Sequence, residues 1–371
     1  MKGYNIIMKL ETFDLSKSNK KNFESIDLMK FLCAILVVGI HISPFGNSDC
    51  ITIKLLNFGI KQYIARIAIP FFFMCTGFLV FRKTDPECFS AKEGIQYAKK
   101  IYKLYLLWTL IYSPLIIKGI ISNKNGILYG TVKAIRNFIF AGSFTHLWYL
   151  NASAFAVLLI SILLHKKLKL SWIIGCSLGL YLIGLLPQSY FGLLKSFKAY
   201  PFIWNSAKIL EKIIVTTKDG LFDAFLFVGL GMLFAYRPIQ LSSKASTIGF
   251  FCSMLLMLSE AIVLTYCNWI RGCDMYLFLV PSSFFLFFLV THVELKSHKI
   301  YRFLRSLSSL IFFIHIWISF FVKKVYGFWG IDASKTSLLF ISSLGMSIIV
   351  SCIIIYLSNR KLFRWIKRLY S

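Results

Sequence analysis

Acidic residues are scarce. Only 15 Asp and Glu stand among 371 residues, against 42 Lys and Arg. Charged residues of both signs make up 15% of the chain, where a soluble domain carries about 25%. That deficit, with 57% hydrophobic residues and a mean hydropathy of +0.71, excludes a soluble enzyme, a disordered tail and a secreted disulfide scaffold. Also absent are a C-x-x-C pair and any Cys/His cluster at zinc-ligand spacing. The nine Cys are scattered, and Cys33, Cys75, Cys176, Cys252 and Cys352 fall in apolar runs, where they read as small buried hydrophobes. Cys267 and Cys273 share a short loop and are the one pair that invites a disulfide. The six His are dispersed without an i, i+3 or i, i+4 pair, so no metal is expected. No small-residue cleavage site follows the first apolar run, so no cleavable leader is expected. No internal repeat or low-complexity linker divides the chain.

What is present is a succession of apolar stretches. A membrane span needs about 20 mostly apolar residues, and about ten stretches qualify: 28–45, 63–81, 104–121, 147–164, 171–186, 221–236, 246–266, 275–292, 307–325 and 336–357. The expected fold is an all-α polytopic membrane protein of about ten transmembrane helices. Lys and Arg mark the cytoplasmic side. With both termini inside, the segments assigned to the cytoplasm hold 26 of the 42 basic residues. The chain then divides into a cytoplasmic N-terminal segment 1–26, a transmembrane domain 27–357 and a basic cytoplasmic tail 358–371. The +27 net charge is thereby accounted for by topology and membrane headgroups, and nucleic acid is not needed as a partner.

Polar groups at membrane depth mark either a functional site or a buried structural pair. The first stretch carries Asp27 and Lys30, then ten residues, then His41. Eleven helical steps bring Lys30 and His41 to one face, about 16 Å apart along the axis. Such a pair could seat an anionic cofactor with its reactive end at the imidazole. It could equally be a snorkelling Lys and a His bonded to a neighbouring helix. In the second stretch Arg66 precedes Pro70 by one turn and lies close enough to serve the carbonyl that proline leaves without a donor. Lys99, Lys100 and Lys103 precede the third stretch and suit lipid headgroups or the phosphates of a soluble cofactor. His146 and Trp148 open the fourth, where an aromatic belt is expected. Asp223 lies in the sixth. Glu260, among Leu256, Leu258, Ile262 and Leu264, is expected to pair with one of these cations. His315 stands alone in an apolar helix and reads as a core histidine or a site residue.

Together these residues resemble the acyltransferase-3 family of membrane proteins over nearly the whole chain. Asp27, Lys30 and His41 match its acidic–Arg–x10–His first span, with Lys in place of Arg. Lys100-x-x-Lys103 matches its Arg-x-x-Arg run. Arg66-x-x-x-Pro70-x-Phe72-x-x-x-Thr76-Gly77 is similar to its second-span motif, and His146-Leu147-Trp148-Tyr149 and His315 match further positions. The resemblance implies transfer of an acyl group, acetyl above all, from a cytoplasmic acyl-CoA (acetyl-CoA) to a hydroxyl of an envelope glycan or other small acceptor. It implies His41, Asp27 and Arg66 as catalytic residues, Lys30, Lys100 and Lys103 as donor-phosphate ligands, and His146, Trp148, Glu260 and His315 as substrate-binding residues. It also implies the cytoplasmic membrane of a bacterium.

Within the family, Gly179–Gly184, Ser189–Leu193 and Asp274–Phe278 are similar to the membrane domain of the serine racemases of vancomycin-resistance operons. That likeness implies an alternative, an L-serine or small-metabolite transporter. A racemase domain would follow the last stretch. None is expected in the some fourteen residues left before Ser371, although a separately encoded racemase partner is conceivable.

Overall fold

A computed structural model describes residues 23–85 and 89–370; most of the expected N-terminal segment, residues 1–22, lies outside it. Among the described residues every regular element is helical. In chain order these are α1 Glu24–His41, α2 Ile51–Phe58, α3 Ala68–Phe81, α4 Ala91–Ile121, α5 Ile127–Phe140, α6 Trp148–His165 and α7 Leu170–Leu185. Then follow α8 Phe191–Ser196, α9 Pro201–Ile214, α10 Phe225–Tyr236, α11 Ser243–Tyr266, α12 Leu279–His292, α13 Lys299–Phe328 and α14 Leu338–Ser358.

Among the described residues, six helical segments are long and apolar enough to cross a membrane: 51–81 (α2 to α3), α4, α6, α11, α13 and α14. Three shorter apolar helices span Leu170–Leu185, Gly220–Tyr236 and Leu279–His292. A helix lies on part or all of each of the ten expected stretches, and α1, which carries Glu24, Asp27 and Lys30, falls in neither of these two groups. The first stretch runs short of its expected end. Pro44 disfavours helix in the residue before it, so α1 stops at His41 and Ile42 is already extended.

The centre of the bundle is α3 against α10. A Cβ on Gly77 would lie 2.0 Å from the Val228 carbonyl oxygen, and one on Gly231 would lie 2.1 Å from that of Met74. Small residues at facing positions let two backbones touch, the usual basis of helix association in lipid. Helix α13 packs on α1, and α4 on α6, so α1, α3, α6 and α13 enclose a common interior.

Two breaks in helical regularity open that interior. Before α3 the chain passes through a π turn, Gly59–Tyr63, and a 3-10 turn, Ile64–Ile67. This places Pro70 in the first turn of α3, where a missing N–H costs little. A second π turn, Gly220–Ala224, precedes α10 and is capped by Asp219, whose Oδ1 accepts from the N–H groups of Leu221 and Phe222 at 2.9 and 2.8 Å. Breaks of this kind are tolerated at depth where the backbone lines a cavity.

Candidate functional site

Both breaks face one small cavity of about 80 Å³. Its wall takes His41 from the end of α1, Arg66 from the 3-10 turn, His146 and Trp148 from just before and at the start of α6, Lys218 from the loop before the second break and Asp223 from that break. Asp274, from the loop before α12, completes the charged lining.

Three histidines meet here. The His41 ring lies 5.3 Å from that of His315 and 6.5 Å from that of His146, and His146 and His315 are 5.2 Å apart, centre to centre. Nδ1 of His315 sits 2.8 Å from the Phe312 carbonyl oxygen and 3.1 Å from that of Ile311. A carbonyl only accepts, so Nδ1 carries the proton and Nε2 is left with a lone pair. That Nε2 is buried without a protein partner, as are both ring nitrogens of His146. Tyr112 packs edge-on against His146 and donates its hydroxyl to the Phe313 carbonyl at 2.7 Å, which fixes the ring's floor. Among the described residues no group of His, Cys, Asp and Glu is arranged to hold a metal.

Beside the imidazoles lies a charged cluster. Arg66 Nη1 donates to Asp274 Oδ1 at 2.5 Å and Lys218 Nζ to Asp274 Oδ2 at 3.0 Å. Nη2 of Arg66 reaches Cys273 Sγ at 3.2 Å, while its Nε has no partner. Lys218 also lies 5.1 Å above the Trp148 ring. Burial alone would raise the Asp274 carboxyl, but Lys218 and Arg66 hold it down at about 2. The cluster therefore has one anion and two cations, a net positive field at a partly buried site, where charge is screened less than at the open surface. Asp223 Oδ1 is buried nearby and unpartnered. A polar vestibule of about 720 Å³, lined by Ser43, Asn47, Asn57 and Lys61, shares Ile40 and Arg66 with the cavity and opens it at that end.

Several expectations fall elsewhere. Asp27 is not at His41. Fourteen residues separate them on α1, about 21 Å, and Asp27 is gripped by Arg305 through two bonds, Nε to Oδ1 at 2.7 Å and Nη2 to Oδ2 at 2.6 Å. Glu260 pairs with no cation: Oε1 accepts from the Tyr190 hydroxyl at 2.9 Å and the Leu277 N–H at 2.7 Å, and Oε2 from the Phe278 N–H at 3.0 Å. It caps α12 and does not line the cavity. Arg66 turns to Asp274 and Cys273, away from the carbonyl freed by Pro70. Trp148 is buried within the bundle, not part of an interfacial belt. Cys267 and Cys273 are free thiols. Lys100 and Lys103 are exposed on α4 and Lys30 is half-buried on α1; the cavity follows α1 only as far as Val37.

Lys218 was invisible as a site residue because it lies in a long polar loop, where a lysine reads as topology. Asp274 stood out only through its resemblance stretch.

The acyltransferase domain model matches residues 23–356, nearly the whole described chain. The chain belongs to the acyltransferase-3 family. Curated relatives include two proteins of Enterococcus faecalis named amino-acid racemase, 31% identical over 287 residues and 29% identical over 279. A third, from Enterococcus gallinarum and named serine/alanine racemase, is 29% identical over 300 residues. The alignments cover 75%, 75% and 79% of this chain but 38%, 37% and 40% of those proteins. The chain thus spans about two fifths of their length. No solved structure matches it significantly. As a family member with long apolar helices, it is a multi-pass membrane acyltransferase-type protein in which His41, Arg66, His146 and His315 converge.

Proposed function

We propose that this chain is a membrane O-acyltransferase that moves a small acyl group, acetyl above all, from acyl-CoA to a hydroxyl of an envelope glycan or similar acceptor. The observation that carries the reading is the convergence of three imidazoles, two of them with unpartnered buried nitrogens, beside a cationic cluster. Buried polar atoms are nearly always hydrogen-bonded, so these nitrogens are placed for a ligand. His41 takes the acceptor's proton as general base, and the oxygen attacks the thioester carbonyl. The carbon–sulfur bond breaks, and the CoA thiolate leaves with the proton. Arg66 and Lys218 supply positive charge where the oxyanion develops. The vestibule's hydroxyl and amide groups suit an acceptor rich in hydroxyls.

In this reading ten helices cross a bacterial plasma membrane with both termini inside. Lys30 and the exposed Lys100 and Lys103 then lie on the donor side, available to CoA phosphates, and the vestibule faces outward. The structural role of Asp27 is to hold α1 to α13 through Arg305. Membrane lipids are the surrounding partner.

His41→Ala should lower acetylation of an envelope fraction by about 10²- to 10⁴-fold, the range for a lost general base, with unchanged membrane insertion. Normal acetylation in that variant would remove His41 from the chemistry.

One observation favours a second reading, an L-serine or small-metabolite transporter. Arg66, Lys218, Asp274 and Asp223 together offer both signs of charge around a small cavity, the complement of a zwitterion. Uptake of labelled L-serine into proteoliposomes tests it; no uptake above empty vesicles argues against it. A racemase acting beside this chain would be the corresponding partner.

A further inference from the structure

The acyl-transfer chemistry leaves Lys61 without a role. This lysine stands in the π turn Gly59–Tyr63 and lines the vestibule of about 720 Å³ that shares Ile40 and Arg66 with the His41 cavity. Turns of this kind are rare and concentrate at functional sites. Lys61 is half-buried, and its Nζ donates to the Ser43 hydroxyl at 3.3 Å. An ammonium has three donor hydrogens and no acceptor. The serine takes one, and two are left for a ligand or water.

The other charges along the vestibule are answered. Lys54 pairs with Asp49 at 3.0 Å, both of them exposed at the rim, and Arg66 pairs with Asp274. Among the described residues Lys61 makes no ion pair. It also lies within electrostatic reach of Arg66, so an anion between the two would be drawn by both. A cation partly removed from water and given no counter-charge is unfavourable, and a bound anion relieves it.

The wall around Lys61 is built in advance. Asn57 on α2 donates from Nδ2 to the Gly46 carbonyl at 2.7 Å, and its Oδ1 accepts from the Phe45 N–H at 3.4 Å. Ser43 Oγ donates to Asn47 Oδ1 at 2.8 Å, and the Asn47 N–H to the Ser334 carbonyl at 2.7 Å. Gly46 has a φ of +74°, and a Cβ there would lie 2.4 Å from the Lys335 backbone. The loop between α1 and α2 is thus tied both to α2 and to the loop before α14. A ligand has little left to order on arrival.

Ser43 follows His41 by two residues, at most about 7 Å along the chain. An acceptor with its hydroxyl at His41 therefore brings a substituent of the same or the next sugar ring to Lys61. We propose that Lys61 holds a singly charged anionic group of the acceptor, a carboxylate or a phosphodiester, and so selects acidic over neutral glycans for the His41 site. One unanswered positive charge matches one negative charge, and a lysine, which lacks the fork of arginine, suits either group as a point charge. The proposal rests on the acyl-transfer reading and names the class of its acceptor.

The test uses the detergent-purified full chain with labelled acetyl-CoA. The acceptor probe is the envelope glycan of the source cells, split on an anion-exchange resin into a retained and an unretained pool. Label should enter the retained pool in preference, and His41→Ala should give none above background. Lys61→Gln should raise KM for the retained pool roughly tenfold with kcat unchanged, the mark of lost uniform binding. Lys61→Arg, which keeps the charge, should restore most of the affinity, which a folding defect would not allow. Lys124→Gln, in the exposed turn between α4 and α5, should leave KM unchanged. Carbodiimide amidation of the retained pool neutralises carboxylates and spares phosphodiesters, so lost acceptance names the carboxylate and kept acceptance the phosphodiester. Label confined to the unretained pool, or a wild-type KM in Lys61→Gln, would overturn the proposal. A fall in kcat at unchanged KM would make Lys61 a structural residue and overturn it too. No label in either pool with the wild-type protein would overturn the acyl-transfer reading itself, and the acceptor selection with it.

Discussion

Arg66 and Asp274 are 208 residues apart in the chain and 2.5 Å apart in space. The contact joins the 3-10 turn before α3 to the loop before α12, and it aims a guanidinium at the His41 cavity. Arg66 is 7% exposed, so its charge depends on Asp274. Asp274→Ala should cost about 3 kcal/mol, at the low end for a buried pair that loses one partner, because the Asp274 side chain is itself 31% exposed. Melting of the detergent-purified protein checks it, and equal melting temperatures would remove the pair from the fold's stability.

The same carboxyl sets a pH expectation. Its folded-state value of about 2 lies below the unfolded value of about 3.9. A depressed carboxyl contributes stability that is complete above the unfolded value and is lost as pH falls toward the folded one. Asp274 should add no pH dependence to melting between pH 5 and 8, and the loss between pH 4 and 2 should be smaller in Asp274→Asn than in wild type. An equal acid loss in both would assign it to other groups.

The helices were legible because hydropathy is a local property, and a helix lies on every stretch read as apolar. The end of α1 was misread by four residues, since hydropathy carries on through Ser43 and Pro44 while the backbone does not. The site was legible only in pieces. His41, Arg66, His146 and His315 come from four elements, and no local pattern says that four elements meet; family resemblance did that. Partners were the least legible. Arg305 lies 278 residues from Asp27, and Glu260 is satisfied mainly by backbone N–H groups, which every sequence has and none displays.

The Asp27–Arg305 pair should respond asymmetrically. The Asp27 side chain is 5% exposed and that of Arg305 is 47% exposed. Arg305→Gln strands a buried carboxylate and should cost about 3 kcal/mol. Asp27→Asn leaves a half-exposed guanidinium that reaches water or headgroups, and should cost about 1 kcal/mol. The double variant should recover part of the Arg305→Gln loss. Unfolding in a denaturant series reads all three, and a costlier Asp27→Asn would reverse the argument.

Contact between α3 and α10 has no room for a methyl group. Gly77→Ala and Gly231→Ala each set a Cβ against a backbone oxygen of the facing helix, so the helices must separate, at about 1–3 kcal/mol. Gly175 and Gly179 on α7 have nothing within 4 Å of a built Cβ. Alanine there should be neutral or stabilising by up to about 1 kcal/mol, the helix-propensity difference. Thermal melting of the four variants separates the pairs; destabilisation by all four alike would point to a general intolerance of substitution.

Glu260 offers the sharpest contrast between a structural and a functional buried acid. Its two oxygens serve three donors, two of them the otherwise orphaned N–H groups of Leu277 and Phe278 at the start of α12. Glutamine keeps one acceptor oxygen and turns the other into a donor that faces a donor. Glu260→Gln should therefore cost about 1–2 kcal/mol, and Glu260→Ala, which removes the cap outright, about 2–3 kcal/mol. The rate per folded molecule should be unchanged in Glu260→Gln, because the carboxylate caps a helix outside the His41 cavity. A variant that melts like wild type but has lost activity would return Glu260 to the substrate, with the cap then secondary.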